Sequence, residues 1–264
     1  MTEFSGKRFI VTGAASGIGH AVAERLLAQG AQVWSLDRNS PMAAVSSHVP
    51  VDLADPRSID AAVEALDGTF DGLINVAGIP GTAPGERVLA VNTLAVRHLT
   101  EALLGRLAPG GAVVVVASIA GLGWPQRLAV IQELLATRTF EEGMSWVKEN
   151  PQQGNAYNFS KEAATVYAMA KAVEFHQLGV RINAVLPGPV ETPILADFEE
   201  SMGKDVLDGA KSLLGRHAIP SDIAGVILFL CSSDACWVNG QTVAVDGGGM
   251  AAVAAGIIPP PEMR

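Results

Sequence analysis

Apolar residues along this 264-residue chain fall into two alternating patterns. Short β-branched runs closed by turn residues, RFIVTG (8–13), QVWSLD (32–37), GLINVAG (72–78), AVVVVAS (112–118), VRINAVLPG (180–188) and QTVAVDGG (241–248), are largely apolar at successive positions. Runs without in/out alternation predict strands buried on both faces, as in a parallel sheet. Between them lie segments in which apolar residues return every three or four positions: GIGHAVAERLLAQG (17–30), ERVLAVNTLAVRHLTEALLGRL (86–107), the stretch 154–179 and SDIAGVILFLCSS (221–233). That period predicts helices. The repetition predicts an α/β fold, a doubly wound parallel sheet of about seven strands with helices on both faces. No repeat or low-complexity linker divides the chain, so residues 1–264 read as one domain. The tail AAVAAGIIPPPEMR (251–264) starts apolar and ends with three prolines, which predicts packing at its start and an extended end.

Composition narrows the function classes. The chain is 49% hydrophobic and 17% charged, with a formal net charge of −9, and its basic residues are scattered. A phosphate backbone would have no basic footprint to bind, so no nucleic-acid partner is expected. The opening MTEFSGKRFIVTG lacks a charged-then-apolar signal pattern, and the run AVVVVA is too short to span a bilayer; a cytoplasmic protein without membrane spans is expected. Cys231 and Cys236 match neither a zinc site nor a disulfide framework, and they read as core thiols; no metal is expected.

Two patterns carry chemistry. TGAASGIG (12–19) joins the first predicted strand to the first helix. There Gly13, Gly17 and Gly19, with Ser16 and Ile18 among them, would let backbone approach a pyrophosphate at a helix N-terminus. Asp37 ends the second strand about 20 residues on, where a carboxylate can bind the adenosine ribose hydroxyls and repel a 2′-phosphate. The expected cofactor is therefore NAD, although Arg38 could still reach a phosphate. In YNFSK (157–161), Tyr157 and Lys161 lie one helical turn apart on one face, so an ammonium can act on a phenol. The same spacing separates Tyr167 from Lys171, and ten residues place the two tyrosines about 80° apart around the helix. Spacing alone leaves both pairs open.

The ordered pieces TGAASGIG, VDL (51–53), NVAG (75–78), AVNTLA (90–95), VVVASIAG (114–121), YNFSKEAA (157–164), LPGPVETP (186–193) and VDGG (245–248) resemble the short-chain dehydrogenase/reductase family over essentially the whole length. The resemblance selects Tyr157, because the family pattern Y-x-x-S-K fits YNFSK whereas YAMAK (167–171) lacks the serine. It implies that Tyr157 exchanges a proton with the substrate oxygen, Ser118 orients that oxygen, Lys161 binds the nicotinamide ribose and lowers the tyrosine pKa, and Asn92 holds a proton-relaying water. It further implies that Asp52 and Leu53 flank the adenine, that Asn75, Ala77 and Gly78 line the ribose side, and that Pro187, Val190 and Thr192 meet the nicotinamide end. One departure is visible: the family's paired asparagine before Ala-Gly is Asn75-Val76 here.

Compared with most of that family, the stretch between Ser118 and Tyr157 is enlarged, and 123–155 reads as an insertion with helical period in RLAVIQELLATRTF and FEEGMSWVKEN. Its large apolar side chains fit either a wall over the substrate, with Trp124 and Trp146 as substrate contacts, or a packing or subunit-contact element. The segments AGIPGTA, GWPQRL and EEGMSWVKENP are most similar to bacterial coniferyl-alcohol dehydrogenases and more loosely to bacterial 3α-hydroxysteroid dehydrogenase/carbonyl reductases. The expectation is an NAD-dependent enzyme interconverting a hydrophobic, ring-bearing alcohol and its ketone or aldehyde, acting as a homodimer or homotetramer. A nonenzymatic dinucleotide sensor on the same fold, and dehydratase, epimerase or cis-diol chemistry on the same residues, remain open.

Overall fold

The computed structural model describes residues 3–152, 154–202 and 204–258. Its elements run β1 (Arg8–Thr12), α1 (Gly17–Ala28), β2 (Gln32–Asp37), β3 (Ser47–Pro50), α2 (Pro56–Glu64), β4 (Phe70–Asn75), α3 (Gly85–Leu89), a π-helical turn (Ala90–Leu94), α4 (Ala95–Leu103), β5 (Leu107–Val116), α5 (Trp124–Leu135), α6 (Phe140–Glu149), α7 (Ala156–Gln177), β6 (Arg181–Pro187), α8 (Leu195–Met202), α9 (Lys204–Leu214), α10 (Pro220–Cys231), β7 (Thr242–Val245) and α11 (Gly249–Ala254).

The strands form one sheet in the order β3-β2-β1-β4-β5-β6-β7, and each neighbouring pair is parallel. The six apolar runs are six of these strands. The seventh, β3, is the four-residue edge strand SHVP, too short and too polar to carry the same signature. Strand order reverses between β1 and β4, and Thr12 pairs with Leu36 on one side and Asn75 on the other, so three strand ends stand level at that switch point.

The pleat divides the core in two. Phe9, Val11, Val33 and Val114 face α1 and α10, whereas Ile10, Leu36, Leu73 and Val113 face α2, α4 and α7. Burial on both faces is why these strands read as continuous apolar runs. Among the described residues no helix is long and apolar enough to cross a membrane, and no cluster of His, Cys, Asp and Glu could hold a metal. Cys231 is buried, and burial pushes its thiol up to about 12. Cys236 corrects the expectation of two core thiols: it is exposed, in the turn that precedes β7.

Both helices foreseen in 123–155 form, and they pack on the outer side of α4 and α7. Ile131, Leu134 and Phe140 enter the core there. Arg97 of α4 is buried, and its guanidinium donates to the carbonyls of Thr137 (2.7 Å) and Thr139 (2.8 Å) and to Thr137 Oγ1 (2.9 Å) in the α5–α6 link. The Thr139 carbonyl also accepts from the Gly143 N–H at 3.1 Å, so the guanidinium adds a charged donor to a chain reversal already held by its own backbone bonds. Replacing Arg97 with Ala should cost about 3 kcal/mol, because several buried acceptors lose a charged donor at once. Urea unfolding monitored by far-UV circular dichroism measures it, and a loss within the error of the wild type would contradict the clamp.

Candidate active site

The carboxyl ends of β1, β2, β4, β5 and β6 open into a cleft of about 1370 Å³. Its cofactor half starts at the β1–α1 turn. Gly13 has φ +69°, and a Cβ there would stand 2.9 Å from the Ala77 Cα; one on Gly19 would stand 2.2 Å from the Gly13 carbonyl oxygen. Only hydrogen fits at these two positions. Ser16, at the N-cap of α1, makes no side-chain cap, leaving the first N–H groups of the helix to an anion from the cleft. Thr12 Oγ1 accepts from the N–H groups of Val76 and Ala77, both at 3.0 Å, which pins the β4 exit beside the turn.

Asp37 accepts from the Ala15 N–H (3.0 Å) on one carboxylate oxygen and the Asn39 N–H (2.9 Å) on the other. Its position is thus tied to the glycine loop while it still lines the cleft, as do Arg38, Asp52 and Leu53. Ser16, Gly17, Ile18, Ala77, Gly78, Pro187, Val190 and Thr192 line it too. Asn75 does not: it is buried behind the wall, with Nδ2 donating to Thr100 Oγ1 at 3.0 Å. A closely approached glycine turn, free helix N–H groups and an anchored carboxylate suit the pyrophosphate and ribose of a dinucleotide.

At the other end stand Ser118, Tyr157 and Lys161. Ser118 follows β5, where its hydroxyl accepts from the Ala120 N–H at 3.1 Å and also favours the charged form of Tyr157. Asn155 caps α7 by accepting from the Tyr157 N–H at 2.8 Å, which sets the tyrosine in the first turn of the helix. Lys161 Nζ donates to the Val116 carbonyl at 3.0 Å and lies 5.6 Å from the Tyr157 ring centroid. Burial acts on both groups against charge. It pushes the phenol up to about 12, with the Ser118 hydroxyl pulling the other way, and the ammonium down to about 8. In this state the phenol therefore stands above its ordinary value even with Lys161 beside its ring.

The competing pair separates cleanly. Tyr167 is buried in the core away from the cleft, and Lys171 pairs with Glu101 (3.2 Å) and Glu174 (3.0 Å). Asn92 lies in the π-helical turn, just behind Gly78, where a Cβ would stand 3.3 Å from both Asn92 Oδ1 and Lys161 Nζ. Its amide accepts from the Ile79 N–H (2.9 Å) and donates to the Ile79 carbonyl (3.0 Å) and Ser160 Oγ (3.1 Å). The observed work of the side chain is to hold the 79 loop against α7.

Trp124 and Trp146 correct the expected substrate wall: neither lines the cleft. Trp146 stacks on Phe159 with centroids 6.3 Å apart, and Trp124 packs against the same core cluster, because α5 and α6 turn their apolar faces toward α7. Among the described residues of that segment, only Gly123 and Asn155 reach the cleft. The apolar wall comes instead from α8 and the chain end: Ile194, Leu195, Phe198, Met250, Val253 and Ile258. Phe198 meets the Tyr157 ring at 5.0 Å between centroids. At the start of the tail Val253 and Ile258 line the cleft, but none of residues 251–258 is buried and Ile257 is exposed; the extended end foreseen beyond Ile258 lies outside the described residues.

The shifted lysine has a consequence for stability. With a folded value of about 8 against an ordinary 10.5, the unfolded chain holds more protons at this site between those values, so the site's contribution to stability rises with pH through that window. The stability of the wild type minus that of Lys161→Met, each without dinucleotide, should grow between pH 8 and pH 10, below the range where Tyr157 enters with opposite sign. Urea titrations across that range would refute the buried ammonium if the difference stayed flat.

A family model described as short chain dehydrogenase matches residues 7–129, and one described as Enoyl-(Acyl carrier protein) reductase matches residues 144–249. The chain is 40% identical to a coniferyl-alcohol dehydrogenase of Pseudomonas sp. (strain HR199 / DSM 7063), over 93% of this chain and 97% of that one. It is 30% identical to the 3-alpha-hydroxysteroid dehydrogenase/carbonyl reductase of Comamonas testosteroni, over 90% and 95%. The crystal structure of the 3-alpha-hydroxysteroid dehydrogenase from Pseudomonas sp. B-0831 complexed with NADH superposes with a TM-score of 0.78 at 32% identity, covering 95% of this chain and 99% of that one. Matched along both halves and over nearly the full length of its relatives, the chain belongs to the short-chain dehydrogenase/reductase family of nicotinamide-dinucleotide oxidoreductases.

Proposed function

We infer that this protein oxidises a hydrophobic, ring-bearing alcohol to its carbonyl compound with NAD, and reduces the carbonyl in reverse, an aryl-allylic alcohol of coniferyl type being the best fit. The observation that carries this reading is that Ser118, Tyr157 and Lys161 meet in one cleft, with Lys161 Nζ 5.6 Å from the Tyr157 ring centroid and an apolar wall built by Phe198, Leu195 and Met250. Ser118 and Tyr157 together hold the substrate oxygen. As phenolate, Tyr157 takes the alcohol proton and becomes the neutral phenol while the carbon–hydrogen bond gives up its electron pair. The dinucleotide, when bound, supplies the nicotinamide carbon that accepts the hydride. Lys161, with a value near 8, stays largely protonated at neutral pH and favours the phenolate that burial alone opposes. Phe198 and the other apolar side chains exclude water from this exchange. Asn92 serves as a positioning residue, holding the 79 loop against the helix that carries both groups.

The coniferyl-type preference rests on the 40% identical relative and on a wall suited to a flat ring. A 3α-hydroxysteroid is the second reading, supported by the size of the cleft and by the 32% identical steroid dehydrogenase structure. NAD over NADP rests on Asp37, whose anchored carboxylate would meet a 2′-phosphate at close range in a cleft that also holds Arg38.

Absorbance at the NADH band, with coniferyl alcohol, benzylic and cyclic alcohols and 3α-hydroxysteroids against NAD and NADP, tests the reading directly. Turnover should be fastest with the aryl-allylic alcohol and NAD, and steroid-only turnover would favour the second reading. Tyr157→Phe should lower kcat by about 1000-fold while NADH still binds, since it removes the proton acceptor and keeps the ring. Unchanged turnover in that variant would sink the assignment. Asp37→Ala should cut the preference for NAD over NADP by about tenfold, the order expected for one charge-assisted contact; a preference that did not move would remove Asp37 from the recognition.

A further inference from the structure

Arg87 brings a charge to the cleft that the proposed reaction does not use. It stands on the short helix α3, whose Val88 and Leu89 are buried in the core. Arg87 and Val91, four positions apart across the start of the π-helical turn, both line the cleft, so one side of this stretch is turned toward it. Facing them is Asp52, which follows β3. Arg87 Nη2 donates to Asp52 Oδ2 at 3.5 Å, and each side chain is 44% exposed. A pair this long and this open to water adds little to folding, so fold stability is a weak reason for it.

The pair joins two walls of the cleft. Asp52 is fixed on its side: Oδ1 accepts from the Ala54 N–H at 3.0 Å and the Asp52 N–H donates to Ser58 Oγ at 3.0 Å, which leaves Oδ2 to Arg87. The guanidinium comes from the other wall, beyond β4. Leu36, Val51 and Leu53 on the first wall and Val91 on the second also line the cleft, so the charged pair sits at the lip of an apolar slot. Strand order shows what reaches that slot. The glycine turn leaves β1, Asp37 ends β2 and Asp52 follows β3, side by side in the sheet. A dinucleotide with its pyrophosphate at the glycine turn and a ribose at Asp37 carries its base on toward β3, between Leu53 and Val91.

The chemistry of the two groups says how they meet such a base. A guanidinium is planar and weakly hydrated, its donors lie along its edge, and its flat face stacks on aromatic rings. The contact with Asp52 uses that edge and leaves the face free. Being partly exposed in the empty cleft, Arg87 can receive a ligand without any rearrangement of the core. We propose that Arg87 is a cofactor-binding residue whose guanidinium, steadied at the lip by Asp52, stacks on the adenine ring of the dinucleotide. This rests on the NAD reading above and deepens it.

Calorimetric titration with ADP-ribose, which has the adenosine and the pyrophosphate but no nicotinamide, reads the contact without turnover. The wild type is compared with Arg87→Met and Arg87→Lys; the three side chains favour helix about equally, so α3 should be kept. Binding should weaken about tenfold in Arg87→Met, the order of one stacking contact on a base. Arg87→Lys should stay within about threefold of Arg87→Met, because an ammonium keeps the charge and lacks the flat face. Recovery of the full affinity in Arg87→Lys would make Arg87 a point charge for the phosphates and overturn the proposal, as would an affinity that Arg87→Met leaves unchanged. A wild type that does not bind ADP-ribose would overturn the proposal and the NAD reading together. If the wild type oxidises no alcohol while ADP-ribose binding still falls with Arg87 in both variants, the dehydrogenase reading falls and the adenine contact stands.

Discussion

A strand can join a parallel neighbour only through a crossover that returns the chain to the starting edge, and this constraint sets the plan of the molecule. Every strand of the sheet then ends on one edge. Because the crossovers of the two halves run in opposite directions from β1 and β4, the edge splits there into a cleft. Residues separated by most of the chain, from Gly13 through Ser118 to Val190, are neighbours for this reason alone. Helices on both faces bury the strands twice over, and the sheet is stiff enough to hold a site built from its exits.

What turns strand exits into a site is a set of buried polar contacts. Lys161 reaches across to the carbonyl of Val116 at the end of β5, which locks α7 in rotation and brings Tyr157 beside Ser118. Asn92 clamps the backbone of Ile79 and touches Ser160 on the same helix, and Thr12 collects two N–H groups from the β4 exit. Each contact is made away from water, where an unmade hydrogen bond is expensive, so each specifies one arrangement sharply. The same dryness keeps both Tyr157 and Lys161 reluctant to carry charge. A positive charge arriving with a dinucleotide would weigh on that balance directly.

The enlarged segment between β5 and α7 shows how apolar content can mislead about direction. Its tryptophans and phenylalanine suggest a binding wall, yet they pack inward on the core between α4 and α7 and leave the wall to α8 and α11. Its contribution to the site is indirect. Arg127 of α5 pairs with Glu162, and Arg97 holds the α5–α6 link, so the insertion braces the helix that carries Tyr157.

The sequence by itself determined the parallel α/β plan, because strands buried on both faces leave a run of apolar residues that needs no partner to be recognised. It determined the glycine turn, Asp37 and the four-residue spacing of Tyr157 and Lys161 for a related reason: backbone closeness, a carboxylate at a strand end and a helical spacing of four are local properties. Ser118 and the serine of Y-x-x-S-K were read from the family resemblance. The edge strand β3 escaped notice because four residues ending in proline carry no periodic signal. Spacing could not separate Tyr157 from Tyr167; the family pattern selected Tyr157, and packing agrees by placing it in the cleft and Tyr167 in the core. Tertiary structure alone decided the rest. An apolar period could not say that Phe198 faces Tyr157 while Trp146 faces Phe159. Periodicity states that a helix has an apolar side; which neighbour that side meets is set by the docking of whole elements, and that docking is a property of the entire chain.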